Sequence, residues 1–283
     1  MLDHDRLTLL ALALTLVSPL RHLDAAMDTM DGPRIRCSSE KTASCCMSLA
    51  TQLRAASANA ARLADAARRL FSELQEDPQL DLQRETQLLN VFLVTSNDAV
   101  QVAHRLESCV RSASYWIEGD AGVADSMNTS EPEHELAPGW LAVTPAYTAR
   151  RPKSPFGWLR QSAVAVHVAP SFFTFDETTQ ALTLLHECTH VDGFGVDHAY
   201  LHERAKFASL RAEHISNPDS IALLVLVAAS WRRKEGGDSQ GLAWLAQTML
   251  QDGAERDGVL RALADWVRFS TWKLRDGDGD GSC

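Results

Sequence analysis

The spacing of apolar and polar residues predicts a mainly helical chain. Residues 48–75 are rich in alanine and carry apolar side chains at helical spacing, which predicts a long helix. Residues 83–109 show the same spacing and predict either one helix or a broken pair of helices. Residues 27–34, between the N-terminus and these helices, have the composition of a linker.

The middle of the chain has a different pattern, which predicts a small β-sheet. Residues 110–160 mix tryptophan, tyrosine, glycine, proline and acidic residues, and short strands are expected within 114–120 and 139–149. Residues 162–173 contain β-branched residues and a proline near their end, so they predict another strand. Helices then dominate again up to residue 274. The expected architecture is therefore mainly α with one small sheet.

Composition and charge narrow the class of protein. The 283 residues are 45% hydrophobic, which is enough for a sizeable core, and the net charge of −10 argues against non-specific nucleic-acid binding. Residues 7–20 form an apolar run of signal-peptide length that is too short to span a bilayer. Residues 1–6 lack the net positive charge typical of a signal peptide. Residues 1–30 are interpreted as a signal peptide of a secreted protein, with a buried N-terminal helix as the alternative, and no stable membrane insertion is expected.

The sequence HECTH carries the candidate chemistry. A T-x-x-E capping box at Thr174 and Glu177 predicts a helix that places His186 and His190 four residues apart on one face. Two imidazoles at that spacing can bind one zinc ion, and Glu187 beside them can take a proton from a water molecule. The H-E-x-x-H pattern also arises by chance, and the alternative is two ordinary histidines on a helix.

A hydrolytic zinc site needs a third protein ligand. Metzincins have a histidine at the position that Val196 occupies here, and valine cannot bind zinc. Gluzincins take a glutamate from a later helix, for which Glu203 and Glu213 are available. The third candidate is Asp197, whose carboxylate would complete a three-ligand site with water in the fourth position. The spacing alone leaves these candidates open.

In this region the sequence resembles the aspzincin metallopeptidases, a family that includes deuterolysin and the fungal lysine-specific metalloendopeptidases. The family pattern is H-E-x-x-H, then G-T-x-D-x-x-Y, then N-A-D on a later helix. This chain has HECTH, then FGVDHAY, then NPDSIALLV. Asp197 and Tyr200 keep the D-x-x-Y spacing, and Asn217 and Asp219 keep the N-x-D spacing. The resemblance covers roughly residues 35–230 and is strongest in the second half of that range.

The resemblance implies a zinc-dependent endopeptidase with a zincin-like α+β fold, in which the HExxH helix lies beside the small sheet. His186, His190 and Asp197 would be the zinc ligands, and Glu187 would be the general base. Tyr200 would donate a hydrogen bond to the oxyanion that forms during peptide hydrolysis. The cofactor would be Zn2+ and the substrate a protein or peptide.

Further roles follow from the same resemblance. Asp219 would help to shape the substrate pocket from the next helix, although helix capping accounts equally well for Asp219 and Asn217. A disulfide between Cys37 and Cys109 is implied, and it would fit an oxidising compartment. A strand near 163–169 would bind the substrate chain by edge pairing.

The chain also departs from the family pattern. The G-T before the aspartate is replaced by residues 194–196, and the loop from His190 to Asp197 is shorter than usual in the family. Ala222 stands where the lysine-specific members carry a second acidic residue, which removes one reason to expect cleavage beside lysine. Two alternatives follow: a non-catalytic binding protein on the same scaffold, in which the altered loop no longer holds Asp197 on a metal, and a zinc hydrolase of a non-peptide substrate.

On this interpretation the chain has an N-terminal helical part at 35–112, a catalytic part at 113–275 and a flexible acidic tail at 276–283. The tail has the D-x-D-x-D-G order of a calcium loop, but the sequence lacks the later glutamate and exit helix of an EF-hand. His198 and His202 are four residues apart, and they are expected on an exposed helix face rather than in a second metal site.

Overall fold

The computed structural model describes residues 33–38, 41–76, 83–118, 141–144, 165–232, 246–250 and 255–270. The described part is mainly helical and contains one four-stranded sheet, so the expected architecture is confirmed. The helices are α1 (Ala43–Glu76), α2 (Gln83–Phe92), α3 (Ser96–Ser112), α4 (Glu177–Val191), α5 (Arg204–Ser209), α6 (Pro218–Arg232) and α7 (Arg256–Ser270). The strands are β1 (Arg34–Cys37), β2 (Ser114–Ile117), β3 (Ala142–Val143) and β4 (Ala165–Val168).

The strands lie in the order β1-β2-β4-β3. β1, β2 and β4 are parallel, whereas β3 pairs antiparallel with β4. The pattern does not foresee β1, because four residues with a single buried side chain, Ile35, are too few to show alternation. The expectation that a strand near 163–169 offers its edge to a substrate is wrong. β4 has a neighbour on each side, and β3 forms that edge of the sheet among the described strands.

One hydrophobic core joins the N-terminal and C-terminal parts of the chain. α1 packs against α3, α4 and α6, and its buried alanines, including Ala50, Ala60 and Ala64, let these helices approach closely. β1, from the N-terminal part, pairs with β2 from the C-terminal part. The two predicted parts therefore share one sheet and one core, whose buried apolar surface is the main stabilising contribution.

The second predicted helical region is the broken pair α2 and α3. Leu93 ends the first helix in the left-handed conformation, with φ of 53°. Thr95 then caps α3, because its side chain accepts a hydrogen bond from Asp98 N. This break lets both helices pack their apolar sides onto the same core.

The disulfide pairing differs from the predicted one. Cys37 is bonded to Cys46, nine residues later, so the bridge ties the end of β1 to the first turns of α1. The predicted Cys37–Cys109 bridge is therefore wrong. Cys109 is a buried free cysteine on α3, and its thiol donates a hydrogen bond to Cys188 O at 3.5 Å. Cys45, next to Cys46, is disulfide-bonded as well.

None of the described helices is long and apolar enough to cross a membrane. The predicted N-terminal segment 1–30 and the predicted acidic tail 276–283 lie outside the described residues.

Candidate metal centre

Helix α4 carries the HECTH sequence, and its N-terminal cap differs from the predicted one. Asp176 is the N-cap, and its side chain accepts a hydrogen bond from Thr179 N at 2.7 Å. Thr174 instead donates to Ser171 O within the preceding turn, so the predicted capping box of Thr174 and Glu177 is wrong. Aspartate is an equally good cap and stands directly before the helix, which is why the helix still forms where it was expected.

Three ligand atoms converge beside α4. His186 Nε2 and His190 Nε2 are 3.3 Å apart. Asp197 Oδ1 lies 3.4 Å from each of these nitrogens. Ligands placed about 2.0–2.1 Å from a tetrahedral zinc ion are about 3.3–3.4 Å apart, since the edge of a tetrahedron is about 1.63 times its centre-to-corner distance. The triangle therefore has a size that suits one small cation, and these three residues could hold a metal ion.

The other acidic candidates make different contacts. Glu203 accepts a hydrogen bond from Tyr200 N at 2.9 Å. Glu213 accepts one from Arg211 N, also at 2.9 Å. Neither joins the group of potential metal ligands among the described residues, which leaves Asp197 as the third member.

The Nδ1 atoms of both histidines are on the side of the ring away from the triangle, and each makes a hydrogen bond to an oxygen of the protein. His190 Nδ1 donates to Gly195 O at 3.3 Å, since a carbonyl oxygen can only accept. His186 Nδ1 donates to Asp219 Oδ1 at 2.7 Å. Each Nε2 therefore directs either a lone pair or a proton towards the centre of the triangle. Outer hydrogen bonds of this kind fix the tautomer and the ring orientation of metal-binding histidines.

The surrounding charges make the triangle attractive to a cation. Burial opposes protonation of His186, but the hydrogen bond to Asp219 and the charges of Asp219, Glu187 and Asp197 outweigh burial and raise its pKa to about 9. Burial also opposes ionisation of Asp197, yet the hydrogen bond to His190 and the two nearby imidazoles lower its pKa. A proton on His186 occupies the place that a metal ion would take, so metal binding would release that proton.

Glu187 lies beside the triangle and is 6% exposed. Its Oε1 is 4.0 Å from His186 Nε2. Its Oε2 is buried and has no hydrogen-bond partner among the described residues. Leaving a buried carboxylate oxygen unpaired is costly, which points to a functional role or a bound water. This oxygen is free to accept a hydrogen bond from a water molecule at the site.

A glycine turn at the end of α4 leads the chain back towards the histidines. Gly193 has φ of 76° and donates to His190 O at 3.0 Å, while Phe194 N donates to Thr189 O at 3.1 Å. Gly195 lies so close to the helix that an added Cβ would fall 2.0 Å from Thr189 Oγ1. This close approach lets a short loop bring Asp197 over the histidine pair.

An ion pair that the sequence does not reveal secures the same turn. Arg105 on α3 bonds Asp192 through Nε and Oδ2 at 2.5 Å, and its guanidinium carbon lies 4.4 Å from the centre of the Phe194 ring. Arg105 and Asp192 are 87 positions apart in the chain. No local signal in the sequence could have identified it.

Asn217, which precedes α6, holds the loop just beyond Asp197. Its Oδ1 accepts hydrogen bonds from His198 N at 3.1 Å and from Ala199 N at 3.0 Å. Asn217 is fully buried, so these bonds are shielded from water. The N-x-D segment thus contributes to the site through its contacts with the loop.

Asp219 joins the loop to the first histidine. Its Oδ1 binds His186 Nδ1, and its Oδ2 accepts from Leu201 N at 2.6 Å. Both oxygens are thus engaged within the protein. The structure therefore gives Asp219 a role in positioning His186 and offers no support for the predicted substrate-pocket role.

Tyr200 lies at the site in a stack of three rings. Its ring is nearly parallel to that of His186, with centres 6.2 Å apart, and to that of His202, with centres 5.4 Å apart. Hydrogen bonding by its hydroxyl is one of the causes that lower the pKa of Asp197. Burial and the negative charge of Asp197 raise the pKa of Tyr200 above its ordinary value, so the hydroxyl stays neutral and can donate.

The predicted exposed helix face at His198 and His202 is wrong, because both residues lie in the segment between α4 and α5 and not on a helix. His198 is partly buried, and its Nε2 lies 3.1 Å from Ser216 Oγ. His202 is exposed and contacts Tyr200. The hydrogen bonds from His198 N to Asn217 and from Leu201 N to Asp219 override the helical spacing of the two histidines.

The predicted site residues thus lie in one place, and these are His186, Glu187, His190, Asp197, Tyr200 and Asp219. Any function assigned to them rests on the residues and geometry of this chain. Comparisons with protein-family models, with curated proteins and with solved structures found no match.

Proposed function

We propose that this protein is a zinc-dependent endopeptidase of the aspzincin kind with a zincin-like fold, and that His186, His190 and Asp197 hold its zinc ion. The observation that carries the proposal is the triangle of ligand atoms, with sides of 3.3, 3.4 and 3.4 Å. Two imidazoles and a carboxylate with an open fourth position form a ligand set found in catalytic zinc sites. The unpartnered oxygen of Glu187 favours a hydrolytic site over a purely structural one.

The chain's own groups can carry out peptide hydrolysis around such a centre. A bound zinc ion would supply Lewis acidity, which makes water a stronger acid and polarises a carbonyl group. Glu187 would accept the proton of the attacking water on Oε2 and then return it to the leaving amine. Because Glu187 follows His186 on the same helix, its distance from the metal ligands is fixed by the backbone.

Tyr200 is placed to stabilise the developing oxyanion. Its neutral hydroxyl lies next to Asp197, at the edge of the triangle. The hydroxyl has one proton, which would turn from Asp197 to the carbonyl oxygen of the substrate as negative charge develops there, and a donor at that place lowers the barrier. Stacking against His186 and His202 limits the positions that the Tyr200 ring can adopt.

An extended substrate peptide would bind along the edge of the sheet. Among the described strands, β3 forms the edge of the sheet next to β4, and Thr144, which follows it, donates to Glu187 O at 3.2 Å. A peptide that paired with β3 would therefore pass close to Glu187. Pairing through the main chain is a common way to bind peptides with tolerance for their side chains.

The position of Asp197 helps to distinguish the endopeptidase from a binding protein, but not from a hydrolase of another substrate. A binding protein in which the shortened loop loses Asp197 is disfavoured, because Asp197 Oδ1 is equally distant from both histidine nitrogens. A zinc hydrolase of a non-peptide substrate would use the same centre. Turnover of a panel of ester and amide substrates beside casein separates the two hydrolases.

The test compares the parent protein with Glu187→Gln, which keeps the size of the side chain but removes the base. We expect both proteins to bind about one zinc ion, and casein cleavage by the variant to fall by about 10²- to 10⁴-fold. Glu177→Gln is the matched control, because this exposed glutamate lies on the same helix, away from the ligands. Zinc binding without cleavage by the parent would contradict the peptidase proposal, and the absence of zinc would contradict the metal centre itself.

A further inference from the structure

Three buried polar side chains form a hydrogen-bonded series between the core and the loop that carries Asp197. His214, Ser220 and Asn217 are 1%, 1% and 0% exposed. His214 Nδ1 is 2.7 Å from Ser220 Oγ, and Asn217 Nδ2 donates to Ser220 Oγ at 3.0 Å. Buried polar groups are less favourable than well-packed apolar groups unless their hydrogen bonds are needed. We refer to these three residues as the buried polar series.

The outer end of the buried polar series decides how the loop is held. Asn217 Oδ1 accepts from His198 N and Ala199 N, the two amides that follow Asp197. If the Asn217 amide were reversed, its NH₂ group would face these two donors, and both hydrogen bonds would be lost. Ser220 prevents this reversal because its oxygen accepts from Asn217 Nδ2.

The inner end of the series orients Ser220. A serine hydroxyl has one proton, so if Ser220 donates to His214 Nδ1, its lone pairs remain available to Asn217 Nδ2. His214 is itself fixed between the rings of Phe92 and Phe207, whose centres lie 5.5 and 5.6 Å from its own. Its Nε2 is buried without a hydrogen-bond partner among the described residues. Within the described structure, the contact with Ser220 is thus the hydrogen bond that the His214 side chain makes.

The neutral form of His214 is the form that can accept from Ser220. Burial lowers the pKa of His214 to about 4, and the charges of two arginines act in the same direction. The charged groups that act on it are Arg256, Arg211, Glu213 and Asp257.

We propose that His214 is a positioning residue of the metal centre, because it orients Ser220, which orients the Asn217 amide, which holds the loop bearing Asp197. The inference rests on the proposed function, since a rigid loop matters most if Asp197 binds a metal ion. His214 contacts neither a ligand atom nor a substrate, and it acts only through the series.

The test uses two readouts on the full chain. The first is hydrogen exchange of the His198 and Ala199 amides in the metal-free protein, measured relative to the slowest-exchanging amides of the core. The second is the zinc dissociation constant, measured by competition with a chromophoric chelator. Ser220→Ala and His214→Leu interrupt the series, whereas His214→Asn keeps a polar atom near the position of Nδ1. Leu106→Ala is the control, because Leu106 belongs to the same hydrophobic core but makes none of the hydrogen bonds or ring contacts of the buried polar series.

We expect Ser220→Ala and His214→Leu to speed exchange of the two amides and to weaken zinc binding by roughly 3- to 10-fold, less than the loss of a direct partner of a ligand. His214→Asn should recover most of both effects. Leu106→Ala should lower the melting temperature without changing the relative exchange of the two amides or the zinc affinity.

Two results would overturn the inference. One is unchanged exchange and zinc affinity in Ser220→Ala and His214→Leu. The other is an equal change in Leu106→Ala, which would reduce His214 to general core packing. If the parent binds no zinc, the proposed function fails separately, and the exchange rates of the two amides alone decide whether His214 orders the loop.

Discussion

Helix α4 and the loop that follows it supply ligands to the same centre by different physical means. In α4, His186 and His190 face the same way because four residues make about one helical turn. In the loop, Asp197 is placed by groups from elsewhere, such as Asn217, 19 positions from the amide it binds, and Arg105, 87 positions from its partner. Ligands on a helix can thus be recognised from spacing, whereas a loop ligand depends on a distant scaffold.

The largest expected effect comes from removing a ligand on the helix. His190→Ala should weaken zinc binding on the order of 10²- to 10³-fold, because binding energies of about 10–16 kcal/mol are shared among roughly four ligands. Competition with a chromophoric chelator measures this loss. His104→Ala is the control, since this histidine on α3 belongs to no group of potential ligands among the described residues. Unchanged affinity in His190→Ala would place the metal elsewhere.

A large decrease in the free energy of unfolding is also expected when the pH falls, because His214 in the buried polar series takes up a proton. The pKa of His214 is about 4 in the folded protein, whereas the ordinary value of 6.5 applies in the unfolded chain. The unfolded chain therefore takes up the proton first as the pH falls. The resulting stability is fully present above about pH 6.5 and is lost as the pH falls towards 4, by on the order of 3 kcal/mol. Urea unfolding across this range, compared with His214→Leu, measures it. Equal slopes in the parent and the variant would show that other groups cause the acid sensitivity.

Changing Asp219, which connects α4 to the loop after it, should have an intermediate effect on zinc affinity. In Asp219→Asn the side chain keeps its shape but loses the charge that binds both His186 Nδ1 and Leu201 N. Zinc affinity should fall about 10- to 100-fold, as is usual when the partner of a metal-bound histidine is changed. Asp65→Asn, in an ion pair on α1, provides a matched loss of charge away from the site. An affinity that fell equally in both variants would point to net charge as the cause.

The smallest expected effects distinguish two glycines in the loop. Gly193→Ala should cost about 1–2 kcal/mol of stability through its positive φ alone, since nothing lies within 4 Å of an added Cβ. Gly195→Ala should also displace the loop, because its Cβ would fall 2.0 Å from Thr189 Oγ1. Thermal unfolding and zinc affinity, measured together, should show lost stability in both variants and weakened zinc binding mainly in Gly195→Ala. Equal zinc affinity in the two variants would contradict the importance of this close approach.

The parts of the fold that the sequence predicted are those set by local patterns. The alanine-rich periodicity around 48–75 corresponds to α1, and the β-branched residues around 162–173 contain β4. The strand β1 and the pairing of Cys37 with Cys46 depend on tertiary contacts that no short window of residues contains. The capping box failed for a local reason, since Asp176 outcompetes Thr174 by standing directly before the helix.

The candidate site shows the same division. The positions of His186, His190 and Glu187 on one helix follow from their spacing. The convergence of Asp197 was suggested by resemblance, and its physical basis, the Gly195 approach and the Asn217 clamp, becomes visible only in the folded chain. The helical spacing of His198 and His202 was misleading, because tertiary contacts hold that segment as a loop.

The most direct test of the central claim is zinc K-edge X-ray absorption spectroscopy of the zinc-loaded protein. The account predicts one zinc ion with two imidazole ligands and additional oxygen ligands, all about 2.0–2.2 Å from the metal, and the loss of one imidazole in His190→Ala. Sulfur ligands at about 2.3 Å would mean that cysteines bind the metal, and a spectrum unchanged in His190→Ala would mean that HECTH does not.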